Sequence, residues 1–199
     1  MIGTVNYILF SDKIYEEEIV TKSGFKLFLS YESGTLGTLT RGGKIVGLKQ
    51  GNPLGLKKGD IAICHWNIFK EVIDYNYVTN PSPFCFDQVN HLYYVPEDLI
   101  YGVIRDGEFV AVGEYCFVKP DISYKPEKME SGLIIPETAR KNVNQVSGTL
   151  KYGSPLLEER GIQAGDKVYF TEDSDIIFNI KGEELYRMHS DWIIAYERA

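Results

Sequence analysis

Apolar residues in this chain come in short bursts separated by turn formers, with almost no three-and-four spacing. Asn6-Tyr7-Ile8-Leu9-Phe10, Lys44-Ile45-Val46-Gly47, Ile61-Ala62-Ile63-Cys64 and Leu92-Tyr93-Tyr94-Val95 each span one short strand. Leu99-Ile100-Tyr101-Gly102-Val103-Ile104 is another, and Glu71-Val72-Ile73-Asp74-Tyr75 reads as one too. Gly51-Asn52-Pro53, Gly59-Asp60 and Asn80-Pro81-Ser82-Pro83 punctuate them. Bounded β-rich runs at this spacing predict an all-β chain of small barrels or sandwiches, with closure hiding the strand edges.

The order then begins again. Glu114-Tyr115-Cys116-Phe117-Val118 repeats the opening strand, and Ser131-Gly132 repeats Ser23-Gly24. Gly148-Thr149-Leu150 echoes Gly37-Thr38-Leu39, and Gly161 to Phe170 echoes Gly55 to Cys64. Asp191-Trp192-Ile193-Ile194-Ala195-Tyr196 restates Asp98 to Val103. Tyr7 to Tyr115 and Gly24 to Gly132 are both 108 apart, Asp60 to Asp166 is 106, and Asp98 to Asp191 is 93. Nearly fixed offsets in a fixed order are the mark of a tandem duplication. The expected domains are 1–106 and 107–199, joined near Arg105-Asp106-Gly107-Glu108. The first copy carries 106 − 93 = 13 extra residues, expected as a loop near 78–91 around Asn80–His91.

One stretch fits neither a helix nor an alternating strand: Gly132-Leu133-Ile134-Ile135-Pro136, followed by a polar run from Glu137 to Gln145. Alone, Leu133-Ile134-Ile135 reads as a short buried strand. As one of two equivalent positions after a shared Ser-Gly, it reads as an exposed apolar anchor for a partner's groove.

Composition narrows the function classes. The 199 residues carry 21 basic and 28 acidic side chains, a formal charge of −7, with 44% hydrophobic and 25% charged residues. Basic clusters are limited to Lys57-Lys58 and Arg140-Lys141, so no nucleic-acid partner is expected. No apolar run reaches the roughly 18–20 residues of a membrane-spanning helix. Three widely spaced cysteines make no disulfide framework, and no signal peptide or transit peptide is apparent; a cytoplasmic setting is expected. Cys64-His65, Cys85 and His91 lack the paired spacing of a zinc site, and Glu16-Glu17-Glu18 reads as a solvated face, so no metal is expected. Gly34 to Gly37 does not build a dinucleotide fingerprint, and Ser, His and Asp form no recognisable triad. Neither a cofactor nor an enzymatic reaction is expected. The aromatics between Trp66 and Tyr94 read as core and subunit packing.

In the second copy, Gly165-Asp166-Lys167-Val168-Tyr169-Phe170, Glu183-Glu184-Leu185-Tyr186-Arg187-Met188 and Ser190-Asp191-Trp192-Ile193-Ile194-Ala195 together resemble the small co-chaperonin family of the GroES type. The resemblance covers Gly113 onward well and Gly3 to Ile104 more faintly; the double-domain arrangement is similar to the chloroplast co-chaperonins. It implies two tandem, partly open GroES-like β-barrels, a homo-oligomeric ring, and a large GroEL-type chaperonin as partner, which itself binds the ATP. It further implies that a mobile loop docks on the chaperonin through Leu133, Ile134 and Ile135. In the first copy a charged Lys26 interrupts the run, leaving Phe25, Leu27, Phe28 and Leu29 as a weaker, shifted equivalent. Counted from Gly24 to Gly37 and on to Asp60, the first copy's loop is expected to be shorter and its following hairpin, the roof of the dome in this family, longer. The other expectation is a scaffold protein of the same fold that no longer binds a chaperonin.

Overall fold

The computed structural model describes residues 5–12, 18–20, 26–28, 42–69, 72–73, 79–80, 82–124, 141–171 and 176–199. The chain divides into two compact units, Met1–Val110 and Ala111–Ala199. In chain order the first contains β1 (Tyr7–Phe10), β2 (Glu18–Val20), β3 (Lys26–Phe28), β4 (Gly42–Gly47), β5 (Ile61–Cys64), β6 (Val72–Ile73), β7 (Thr79–Asn80), β8 (Cys85–Asp87), β9 (Leu92–Val95) and β10 (Ile100–Arg105), with β11 (Glu108–Ala111) at the division. The second contains β12 (Tyr115–Tyr124), β13 (Lys141–Tyr152), a short helix α1 (Pro155–Glu159), β14 (Lys167–Phe170), β15 (Ile176–Ile180), β16 (Glu183–His189) and β17 (Ile193–Glu197). The all-β expectation holds.

The first unit's main sheet runs β11-β10-β5-β4-β1-β9-β8 and the second's runs β15-β16-β12-β13-β14-β17. Read from β8 and from β15, the two orders are the same, strand for strand, except that the first continues to β11. Among the described residues, the strand pairings in both are antiparallel. The core of each unit lies on the alternating inward positions. Tyr7, Leu9, Ile45, Ala62, Cys64, Val95, Ile100 and Val103 are buried in the first, and Cys116, Val118, Leu150, Leu157, Val168, Phe170, Met188 and Ile193 form one cluster in the second.

Two expectations about the first unit are corrected. Ile45, not Leu39, holds the place of Leu150. The Ile45 N–H donates to the Asp60 carbonyl (2.8 Å) while its own carbonyl accepts from Gly59 (2.8 Å), and Leu150 does the same with Asp166 (2.9 Å) and Gly165 (2.8 Å). Gly43 therefore matches Gly148, and Gly37-Thr38-Leu39 lies outside the described residues. Gly24 to Gly43 spans 19 positions against 16 for Gly132 to Gly148, so the first connection is longer. Gly43 to Asp60 spans 17 against 18, so the following hairpin is not longer. The repeated Gly-Thr-Leu misled because sheet register, not residue identity, sets the equivalence.

The second correction concerns the extra residues. Cys85–Asp87 and Leu92–Val95 pair as a hairpin in the place that Ile176–Ile180 and Glu183–His189 occupy in the other sheet. The excess instead lies between β5 and β8, residues 65–84, where the second unit has only 171–175 between β14 and β15. It begins with a 3-10 turn, Trp66–Ile68, capped by the His65 side chain accepting from the Asn67 N–H. Ile68 and Phe69 are fully buried, and the Phe69 ring meets Tyr93 edge-on at 5.0 Å. The buried Ser82 hydroxyl donates to the Ile68 carbonyl (2.7 Å) and accepts from Phe84 N–H (3.2 Å), pinning the far end. This insertion is packed core at its ends rather than a free loop.

Candidate functional site

The connection from the first sheet strand to the second is where the apolar anchors were expected. In the second unit it runs from β12 to β13, and Leu133, Ile134 and Ile135 fall within it, outside the described residues. The strands at its base are long and paired: Ile122 faces Val143, Ser123 faces Asn142 and Tyr124 faces Lys141 beyond an irregularity at Pro120. The Ser147 hydroxyl donates to Asp121 (2.8 Å) across that irregularity, and Lys167 lies 3.6 Å from the same carboxylate. Gly148 permits the close approach here, since a Cβ would sit 2.4 Å from the Lys119 carbonyl oxygen.

The equivalent connection of the first unit runs from β1 to β4. Leu27 and Phe28 lie in β3, which pairs with β2 as Glu18–Phe28, Ile19–Leu27 and Val20–Lys26. Phe25 and Leu29 lie outside the described residues. The two candidate anchors thus share a topological position, and that of the first unit includes a two-stranded ribbon.

Beside the base of the β12–β13 connection, a cavity of about 420 Å³ opens on β12, β15 and β16. Ile122, Ile177 and Tyr186 give it an apolar floor, and Glu183 stands at its rim between Lys119 (2.8 Å) and Lys151 (3.4 Å). The Lys119 ammonium, bonded to Glu183, holds that carboxyl below its ordinary range.

A second shared feature holds each unit's last sheet strand. Gly59 and Gly165 take φ of +98° and +100°, a region that favours glycine. The turn they make aims a buried carboxylate back at the chain: Asp60 accepts from Lys57 N–H (2.8 Å) and Asp166 from Gln163 N–H (2.9 Å). Arg105 donates to Asp60 from Nε (3.0 Å) and Nη2 (2.6 Å) and reaches the Gly55 carbonyl (3.1 Å). Arg198 reaches the matching Gly161 carbonyl (2.9 Å). The Arg105 guanidinium holds the Asp60 carboxyl below its usual range, and the Gln163 N–H does the same for Asp166. The Gly-Asp turns are legible in the sequence and the role of the arginines is not, although Arg105 and Arg198 stand at the same 93-residue offset as Asp98 and Asp191.

The outer edge of β17 was also missed. Trp192, Ile194 and Tyr196 are exposed by 40%, 68% and 40%. Cys64 and Cys116 are buried and Cys85 half-buried, all as free thiols. Burial pushes the Cys116 thiol up to about 12 despite a hydrogen bond with Ser190. Among the described residues no three His, Cys, Asp or Glu side chains gather where they could hold a metal ion. No helix among them is long and apolar enough to cross a membrane.

The second unit is therefore an antiparallel six-stranded sheet, with a long connection between its third and fourth strands in sheet order. Residues 108–196 match the family model of the chaperonin 10 Kd subunit. No curated protein matches the chain. The match supports a co-chaperonin-like role in general.

Proposed function

We propose that this chain is a tandem co-chaperonin, two GroES-like domains descended from one, that caps the ring of a GroEL-type chaperonin during ATP-dependent folding. Leu133, Ile134 and Ile135 are its main anchor. The observation that carries this reading is that the match to the chaperonin 10 Kd subunit, residues 108–196, encloses the β12–β13 connection that holds the apolar triplet. The common strand order of the two sheets supports descent by duplication.

The chemistry suits reversible capping. Burying one Leu or Ile side chain contributes about 1.5–3 kcal/mol, and ordering the connection that carries it offsets much of that. Each contact is weak, and several on one ring hold together through effective concentration. The chain itself carries out no catalysis and binds no cofactor; ATP belongs to the partner. The three free thiols fit a reducing, cytoplasmic setting.

The test mixes the chain with a GroEL-type chaperonin and ATP, and compares wild type with Ile134→Asp by native mass and sedimentation. Complex formation that the substitution abolishes is the expected result. No complex, or one the substitution leaves intact, favours a scaffold of the same fold that has lost the chaperonin.

A further inference from the structure

One hairpin position is finished differently in the two sheets. In the second, β15 turns into β16 through Lys181-Gly182, two residues whose φ values of +53° and +82° suit a tight turn. Beside that hairpin lies the cavity of about 420 Å³, with Ile122 and Ile177 exposed along it. On its rim the Lys119 and Lys151 ammoniums share the single Glu183 carboxylate, at 2.8 and 3.4 Å. Glu184, the other carboxylate lining it, stands opposite Asn179 in the β15–β16 pairing. In the first sheet β8 reaches β9 through a longer tip, residues 88–91. The Asp87 carboxylate closes that tip by accepting from the Asn90 N–H (3.0 Å) and Nδ2 (2.8 Å). On either side of it Phe86 and Val89 are exposed by 49% and 88%, and Val89 is the most exposed large apolar side chain among the described residues.

We propose that these are the two halves of one contact between copies of this chain: the Phe86–Val89 tip of one copy enters the cavity on β12, β15 and β16 of another, and Asp87 meets the Lys119–Lys151 rim. This goes beyond the capping reading, which names no contact between copies. The apolar parts match, since Phe86 and Val89 cover Ile122 and Ile177 and all four leave water together. The charges match as well. Two ammoniums on one carboxylate leave a positive charge over at that side of the rim, and Asp87 brings one negative charge. An ammonium has three N–H donors and a carboxylate about four acceptor sites, so the lysines can bond Glu183 and Asp87 at once while Asn90 keeps its own bonds. Those bonds fix the tip's turn beforehand, which lowers the ordering cost of docking. Tip and cavity are different surfaces carried by every chain, so the contact is heterologous and runs head to tail.

The test is disulfide trapping between full chains in a Cys85→Ser background, where Cys64 and Cys116 are buried and take no part. Val89→Cys chains are mixed with differently tagged Ile177→Cys chains and oxidised with copper phenanthroline. Both positions are exposed, so both variants are expected to fold as wild type. A disulfide between the two kinds of chain is expected to form roughly tenfold faster or more than between Val89→Cys and Ile194→Cys, an exposed position away from the cavity, because docking raises the local concentration. Asp87→Asn keeps an acceptor for the Asn90 N–H and removes the charge; it and raised salt are each expected to slow the reaction roughly threefold. Equal rates at positions 177 and 194, no disulfide between chains, or a rate that neither salt nor Asp87→Asn changes would each overturn the proposal. So would a Val89→Cys/Ile177→Cys double variant that joins only within one chain. Selective trapping by a chain that captures no chaperonin would uphold this contact and defeat the capping reading instead.

Discussion

Asp60 and Arg105 show how much rests on single side chains. The Asp60 carboxylate is buried, bonded twice by Arg105, and receives the Lys57 N–H. Arg105→Met leaves that carboxylate without its cation. Because the guanidinium side is about a quarter exposed, we expect a loss of about 2 kcal/mol, below the 3–5 kcal/mol of a fully buried pair, read from urea denaturation. The pH dependence has a definite sign. A carboxyl whose folded pKa is depressed contributes stability above its unfolded pKa, near 4, and loses it as pH falls through the folded value. Wild type should therefore lose stability below about pH 4 more steeply than Asp60→Asn; parallel curves would show that the pair adds nothing. Ser154 is a smaller case. Its buried hydroxyl accepts from Leu157 N–H at 3.2 Å at the start of α1 and shares a hydrogen bond with Ser190 at 2.7 Å. Ser154→Ala should cost about 1–2 kcal/mol, with the midpoint shift confined to the second unit's transition.

At the scale of elements, a β-strand with one buried face has its register fixed by that face, and glycines mark where neighbouring backbones come too close for a side chain. Gly148→Ala places a methyl 2.4 Å from a backbone oxygen, so relief requires the β12–β13 pair to shift. We expect about 1–3 kcal/mol of destabilisation, and a larger loss than at Gly102, where the nearest atoms belong to the movable Phe109 ring and the backbone obstacle, the Val110 carbonyl oxygen, is farther off at 2.9 Å. The insertion after β5 adds a prediction of its own. Phe69 is fully buried beside Tyr93, so Phe69→Ala should cost about 3–5 kcal/mol, which would mark the insertion as part of the first unit's core. A change under about 1 kcal/mol in thermal denaturation would show that it is only an appendage.

For the whole molecule, the proposed capping raises the question of which unit grips the partner. The first unit's candidate anchor includes β3, with Leu27 paired to Ile19 and a charged Lys26 beside it. The second unit's uninterrupted triplet lies in the segment enclosed by the family match. We expect Ile134→Asp to reduce chaperonin capture far more than Leu27→Asp in the same pull-down with ATP. Equal losses would mean that both copies grip.

Much was legible in the chain alone. Short apolar bursts between Gly, Asn and Pro dictated an all-β protein, because almost nothing in it repeats with a helical period. Gly59-Asp60 and Gly165-Asp166 stand out because a positive φ and a carboxylate aimed at backbone N–H groups both need particular residues. Pairing was not legible. Nothing in Gly37-Thr38-Leu39 says that Ile45 and not Leu39 sits opposite Leu9, since a strand of period two can slide until the sheet around it fixes the register. For the same reason the extra residues of the first copy were placed too late, in a stretch whose β8–β9 hairpin is common to both sheets. The role of Gly102 is likewise absent from the sequence, where it is one small residue in an apolar strand. Only the fold shows that it lies beneath the Phe109 ring, because that contact joins neighbouring strands through space.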